Sequence, residues 1–145
     1  MQFKSTIVMC WGIMAVIVLW ATGAAIASTN LIKNASFEQR GGSDIARHWK
    51  DNSGWADLDV SYHQRQTPDG ETVQVIECRR FHGGAVQFVQ PGIAIRQDRT
   101  YRITIRMKGT VRSPVEVLLR KRGKPYTQYA AAAFKVNTDW QTFSF

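Results

Sequence analysis

The chain holds four glutamates, Glu38, Glu71, Glu77 and Glu116, that a hydrolytic pair could draw on. Hydrolysis by paired carboxylates needs two such groups facing one another at roughly 5 to 9 Å. Only Glu77 and Glu116 fall in strand-like runs, and nothing in their spacing pairs them. His48, His63 and His82 are scattered and share no metal-ligand spacing such as His-x-x-x-His. His82, beside Gly83-Gly84, reads as a surface-loop histidine. Neither Gly-x-Ser-x-Gly nor a phosphate-cradling glycine loop occurs. Two cysteines, Cys10 and Cys78, are too few for a four-cysteine zinc site or a disulfide scaffold. Cys78 stands in an apolar run with no histidine nearby and is expected to be a buried small hydrophobe. What remains is binding chemistry: flat faces from Trp and Tyr, and planar hydrogen-bonding groups from Gln and Arg. Catalysis by this segment is not expected.

Those side chains need a scaffold, and 145 residues with 44% hydrophobic and 21% charged content supply at most one globular domain. Lys4, the apolar run Ile7 to Leu19 and the small-residue exit Ala25-Ile26-Ala27 have the layout of a secretory signal peptide over residues 1–27. The run is shorter than the roughly 20 residues a membrane span requires, so cleavage after Ala27 and export are expected, with no stable membrane insertion afterwards. The product is expected to be secreted, extracellular or periplasmic, with residues 28–145 as its folding unit and Cys78 as its lone thiol.

From Ser28 on, apolar residues recur with a period of two between clusters of Gly, Pro, Asn and Asp, which predicts an all-β domain. Strands are expected at Leu31–Phe37, Leu58–Gln64, Thr72–Arg79, Ala85–Gln90, Thr100–Lys108, Val115–Lys121, Ala130–Val136 and Trp140–Phe145, and this number of short strands predicts a sandwich. Pro68-Asp69-Gly70, Pro91-Gly92 and Gly123-Lys124-Pro125 are among the expected breaks. Tyr101 to Lys108 alternates without fault, and Val115–Lys121 sets Val115, Val117 and Leu119 against Glu116, Leu118 and Arg120. Were the Ala85 and Tyr101 strands neighbours, Gln87 and Arg106 would project together. Trp49 and Trp140 are expected in the core.

Charge is uneven along the chain. Arg79 to Lys124 carries nine Arg and three Lys against Asp98 and Glu116, whereas Ser28 to Cys78 has five basic and eight acidic residues. A solvated basic surface explains this, and so does a polyanionic partner. For an exported chain that partner would be an acidic polysaccharide or anionic envelope polymer rather than a nucleic acid, and arginine's planar fork suits uronic-acid carboxylates.

Asn30-Leu31-Ile32-Lys33-Asn34-Ala35-Ser36-Phe37-Glu38 resembles the opening strand of carbohydrate-binding modules of families 4 and 9, the CenC-like type. The resemblance continues in order through Trp49 or Trp55, Gly83-Gly84-Ala85-Val86-Gln87 leading to Pro91, the Tyr101 strand ending in Met107-Lys108-Gly109, Lys124-Pro125-Tyr126-Thr127, and Trp140 to Phe145. It implies a jelly-roll, galactose-binding-like β-sandwich with a ligand cleft across one sheet. By matching position it assigns carbohydrate contacts to Trp55, Gln87, Arg106, Tyr126 and Tyr129. Gln87 and Arg106 would bond hydroxyls while the aromatics stack. For Trp55 the core is an equal alternative, and either tyrosine could simply cover a loop. The family often holds a structural calcium, for which Glu38 matches a first-strand ligand; a solvent-facing carboxylate is the other reading of Glu38. Family members run past the Trp140 strand to a final Asp-rich strand, so the last strand or strands are expected to be missing here.

The resemblance thus implies a secreted, non-catalytic module that targets a polysaccharide, neutral or acidic, and that commonly sits beside a covalently linked glycoside hydrolase domain. The alternative is a secreted structural or adhesion sandwich that contacts anionic envelope polymers or proteins through its basic half.

Overall fold

A computed structural model describes the backbone of Phe3–Thr6 and residues 29–145. The expected cleavage point after Ala27 and most of the expected leader lie outside the described residues, but Phe3–Thr6 of that leader pairs with two strands of the domain, an arrangement at odds with residues 28–145 as a self-contained folding unit. Nine strands are described: β1 (Phe3–Thr6), β2 (Lys50–Asp51), β3 (Asp57–Gln66), β4 (Thr72–Gly83), β5 (Phe88–Ile93), β6 (Thr104–Met107), β7 (Val115–Lys121), β8 (Gln128–Phe134) and β9 (Gln141–Ser144). They form an all-β sandwich. One sheet has the order β2-β5-β1-β7-β8, and the antiparallel pairs β3-β4 and β6-β9 supply the remaining strands.

The β3-β4 hairpin closes where Pro68-Asp69-Gly70 predicts a turn. Gly70 has φ 83°, its N–H donates to the Thr67 carbonyl at 2.9 Å, and Thr67 N–H donates to the Glu71 carbonyl at 2.8 Å. Val115–Lys121 has the expected bounds and faces, with Val117 and Leu119 buried and Glu116 exposed. In β6, Ile105 and Met107 are buried while Thr104 is exposed, so the alternation of the Tyr101 run persists over a shorter strand.

Aromatic contacts join the layers. Phe88 of β5 is fully buried and stacks on Trp49 at 4.8 Å between centroids, with Tyr62 of β3 at 5.8 Å and Phe37 at 6.2 Å. Phe134 of β8 meets Phe143 of β9 at 4.5 Å and Phe145 at 5.9 Å. Each offset or tilted ring pair adds about 0.5 to 1.5 kcal/mol beyond the burial of its area.

Four expectations are corrected. Leu31–Phe37 is a run of turns, because Asn34 (φ 51°) and Phe37 (φ 58°) are left-handed and cannot continue an extended chain. Side-chain amides satisfy this segment, and the loop around residues 44–46 after it, in place of a neighbouring strand. Buried Gln90 accepts from Lys33 N–H and donates to the Lys33 carbonyl, both at 2.7 Å, and buried Gln74 does likewise for Ala46 N–H and the Asp44 carbonyl. The Ala85 strand begins later, at Phe88, and runs through Pro91-Gly92, where a register shift against β1 accommodates a residue with no N–H to give. Cys78 is exposed, since no β4 residue beyond Ile76 joins the core. Trp140 is only half buried, with Arg106 at 4.9 Å and Lys108 at 5.0 Å from its ring centroid.

Arg106 also donates through Nη1 to Glu71 Oε2 at 2.7 Å, with the two side chains 23% and 8% exposed. Removing one partner of so buried a pair strands the other charge, at a cost of roughly 3 to 5 kcal/mol. Arg106→Met is therefore expected to lower unfolding stability by about 3 kcal/mol. A urea titration checks this, and the double variant with Glu71→Leu should recover part of the loss.

Candidate functional site

β5 and β7 both belong to the five-stranded sheet, and on the side away from the core their flanking residues enclose a pocket. It has a volume of about 380 Å³ and is lined by Asn52, Trp55, Gln87, Arg120 and Tyr126. That volume lies within the range of about 300 to 1,000 Å³ typical of small-molecule sites.

Its wall is tied to the core by a chain of hydrogen bonds. The Tyr62 hydroxyl donates to Asp51 Oδ1 at 2.8 Å, and Ser53 N–H donates to the same oxygen at 2.7 Å. Gln87 N–H then donates to Ser53 Oγ at 2.8 Å, and Asn52 N–H donates to the Gln87 carbonyl at 2.8 Å. Burial, above all, pushes the Tyr62 phenol's pKa far up, so it stays a donor to Asp51. The Gln87 side chain is oriented in turn: its Oε1 accepts from Asn52 Nδ2 at 2.6 Å and, more weakly, from Arg120 Nη2 at 3.4 Å. With Oε1 engaged, the Gln87 NH₂ is the end left to meet an acceptor in the pocket.

Two aromatic faces flank these groups. Trp55 is 62% exposed and Tyr126 47% exposed. Trp55 sits in the turn closed by Ala56 N–H donating to the Ser53 carbonyl. Tyr126 is presented by the β7-β8 turn, where Lys121 N–H donates to Thr127 and Tyr126 N–H to Gly123, both at 2.7 Å. The Arg120 guanidinium lies 5.5 Å from the Tyr126 ring centroid. A flat ring on either side of planar polar groups suits a pyranose, whose C–H face stacks and whose equatorial hydroxyls hydrogen-bond.

Of the expected contacts, the structure brings Trp55, Gln87 and Tyr126 together and sets two apart. Arg106 lies in β6, paired with β9 outside the five-stranded sheet, and is taken up by Glu71 and Trp140; the assumed adjacency to Gln87 does not occur. Tyr129 is part-exposed on β8 and does not line the pocket. Glu38 is exposed, and no group of three or more His, Cys, Asp or Glu assembles among the described residues. Sequence reasoning missed Asn52 and Arg120. The alternation of Val115–Lys121 already places Arg120 on the face away from Val117 and Leu119; Asn52, in a polar loop, carries no comparable signal.

Gly84 supports Trp55 from behind. Its φ is 94°, and a Cβ there would stand 2.4 Å from Ala56 Cβ and 3.1 Å from the Trp55 ring. Gly84→Ala is expected to cost at least about 1 kcal/mol and to displace Trp55. Thermal unfolding and the tryptophan emission maximum are the readouts.

A model of the carbohydrate binding domain family, types 4 and 9, matches residues 29–145, a span that includes every residue lining the pocket. No curated protein and no solved structure matches the chain. With the opening segment, strands β2 to β9 and the sheet-face pocket all within the matched span, the chain belongs to the family 4/9 carbohydrate binding domains.

Proposed function

We propose that this chain is a non-catalytic, exported module that holds a polysaccharide in the pocket between Trp55 and Tyr126 and so directs a linked glycoside hydrolase to its substrate. The observation that carries this reading is the meeting of two exposed aromatic rings with Gln87, Asn52 and Arg120 in one pocket. Binding and hydrolysis make different demands. Hydrolysis needs a carboxylate on each side of the scissile bond, whereas the described lining residues offer π faces, amides and a guanidinium. The layout of residues 1–27 supports export, and family membership supports the carbohydrate partner. The basic balance of Arg79 to Lys124 supports an acidic polymer among the candidates.

Affinity electrophoresis through gels containing neutral and acidic polysaccharides tests the reading. At least one polymer should retard the protein, and the retardation should survive 0.5 M salt, because ring stacking is not screened as exposed ionic contacts are. Trp55→Ala and Tyr126→Ala should each weaken retention about tenfold, since losing an aromatic contact with its buried area amounts to roughly 1.5 kcal/mol. Retention that vanishes with salt and ignores both substitutions would instead indicate adhesion through the basic surface.

A further inference from the structure

Arg120 is the one charged side chain among the described pocket-lining residues, and its environment is unusual for an arginine so placed. Its Nε is buried with no hydrogen-bond partner. Among the described residues no carboxylate lies within ion-pair distance of it; Arg40, Arg47, Arg80, Arg102 and Arg112 also lack one, but they are exposed whereas Arg120 is part-buried. Its protein contacts are the long bond to Gln87 Oε1 and the face of Tyr126, a neutral acceptor and a π cloud. A part-buried guanidinium left without a counter-charge is an unfavourable arrangement in the free protein, and a ligand carboxylate would relieve it.

Resting on the carbohydrate reading of this pocket, we propose that the site selects acidic sugars: the carboxylate of a hexuronic acid residue is received by the Arg120 guanidinium, while the ring stacks between Trp55 and Tyr126 and the Gln87 NH₂ donates to a ring hydroxyl. A planar carboxylate matches the guanidinium fork in a way that a tetrahedral sulfate ester does less well. Tyr126 holds the fork from the other side and so keeps its orientation. The basic residues that follow in the same turn, Arg122 and Lys124, raise the local potential without defining the seat.

The test pairs each polymer with its own neutral form. Binding of the whole chain to polygalacturonate, alginate and a glucuronate-containing glycan is compared with binding to the carboxyl-reduced version of each, in 0.3 M salt, beside a neutral β-glucan, a neutral xylan and a sulfated galactan. The expected result is that at least one uronan binds tenfold or more tighter than its reduced form. Arg120→Gln should abolish that preference, so that each uronan and its reduced form bind alike. Arg112→Gln, which removes the same charge from an exposed loop, should leave the preference intact. Equal binding of every uronan and its reduced form overturns the proposal and leaves the carbohydrate reading standing; so does a preference for the sulfated polymer alone. A preference that survives Arg120→Gln also overturns it, by placing the anion elsewhere. Failure of all neutral and acidic polymers to bind overturns the carbohydrate reading and this proposal with it. The comparison of native with reduced polymer needs only the unaltered protein, so it stands even if the Arg120 variant folds poorly.

Discussion

The buried hydroxyl of Tyr62, donating to Asp51, is the contact on which the site's geometry depends. Through Asp51 and Ser53 it fixes the backbone of Gln87, and Gln87 is followed immediately by Phe88, the ring around which Trp49, Tyr62 and Phe37 gather. Core and pocket are thus two sides of one dipeptide. Because successive side chains point to opposite faces, a one-residue slip of β5 would carry Gln87 inward and Phe88 outward, destroying both at once. Aromatic packing therefore holds the register, and the register aims the amide.

The same economy of partners runs through the polar interior. Gln74 and Gln90 are almost wholly buried, yet each carries its hydrogen bonds to a loop's N–H and carbonyl, doing for the 30–48 segment what a neighbouring strand would do. Asn34 adds three bonds to Gln39 and Arg47 from its own side chain. An irregular segment can lie against the core only because these amides leave few of its backbone groups unpaired. Arg120 departs from the pattern: the interior's polar groups are mostly matched, and this guanidinium, at the pocket, lacks a carboxylate.

Strand pattern and turn chemistry made much of this legible in the sequence. Pro68-Asp69-Gly70 located the β3-β4 hairpin, and the alternation of Val115–Lys121 separated Val117 and Leu119 from Arg120 before any coordinates were needed. Family resemblance put forward Trp55, Gln87 and Tyr126, which line the pocket, together with Arg106 and Tyr129, which do not. What was not legible depends on which strands are neighbours. Alternation says that Arg106 faces away from Ile105 and Met107, but both β6 and β7 offer an arginine facing out, and only the pairing of β6 with β9 shows that Arg120 is the one beside Gln87. Leu31–Phe37 failed for a different reason: its alternation is real, but side chains from β3 and β5, distant in sequence, supply its partners. Cys78 looked buried because its neighbours are apolar, while burial depends on how far the opposing layer extends.

Chemical-shift mapping of the isotopically labelled protein during titration with saccharide oligomers tests the central claim most directly. A saccharide seated in this pocket should perturb the Trp55 indole N–H, the Gln87 and Asn52 side-chain amides and the Arg120 guanidinium together, saturating along one curve, with the Trp140 indole unmoved. Perturbations centred on Trp140, Arg106 and Lys108, or spread over the exposed arginines with no saturation, would contradict it and move the binding surface off the five-stranded sheet.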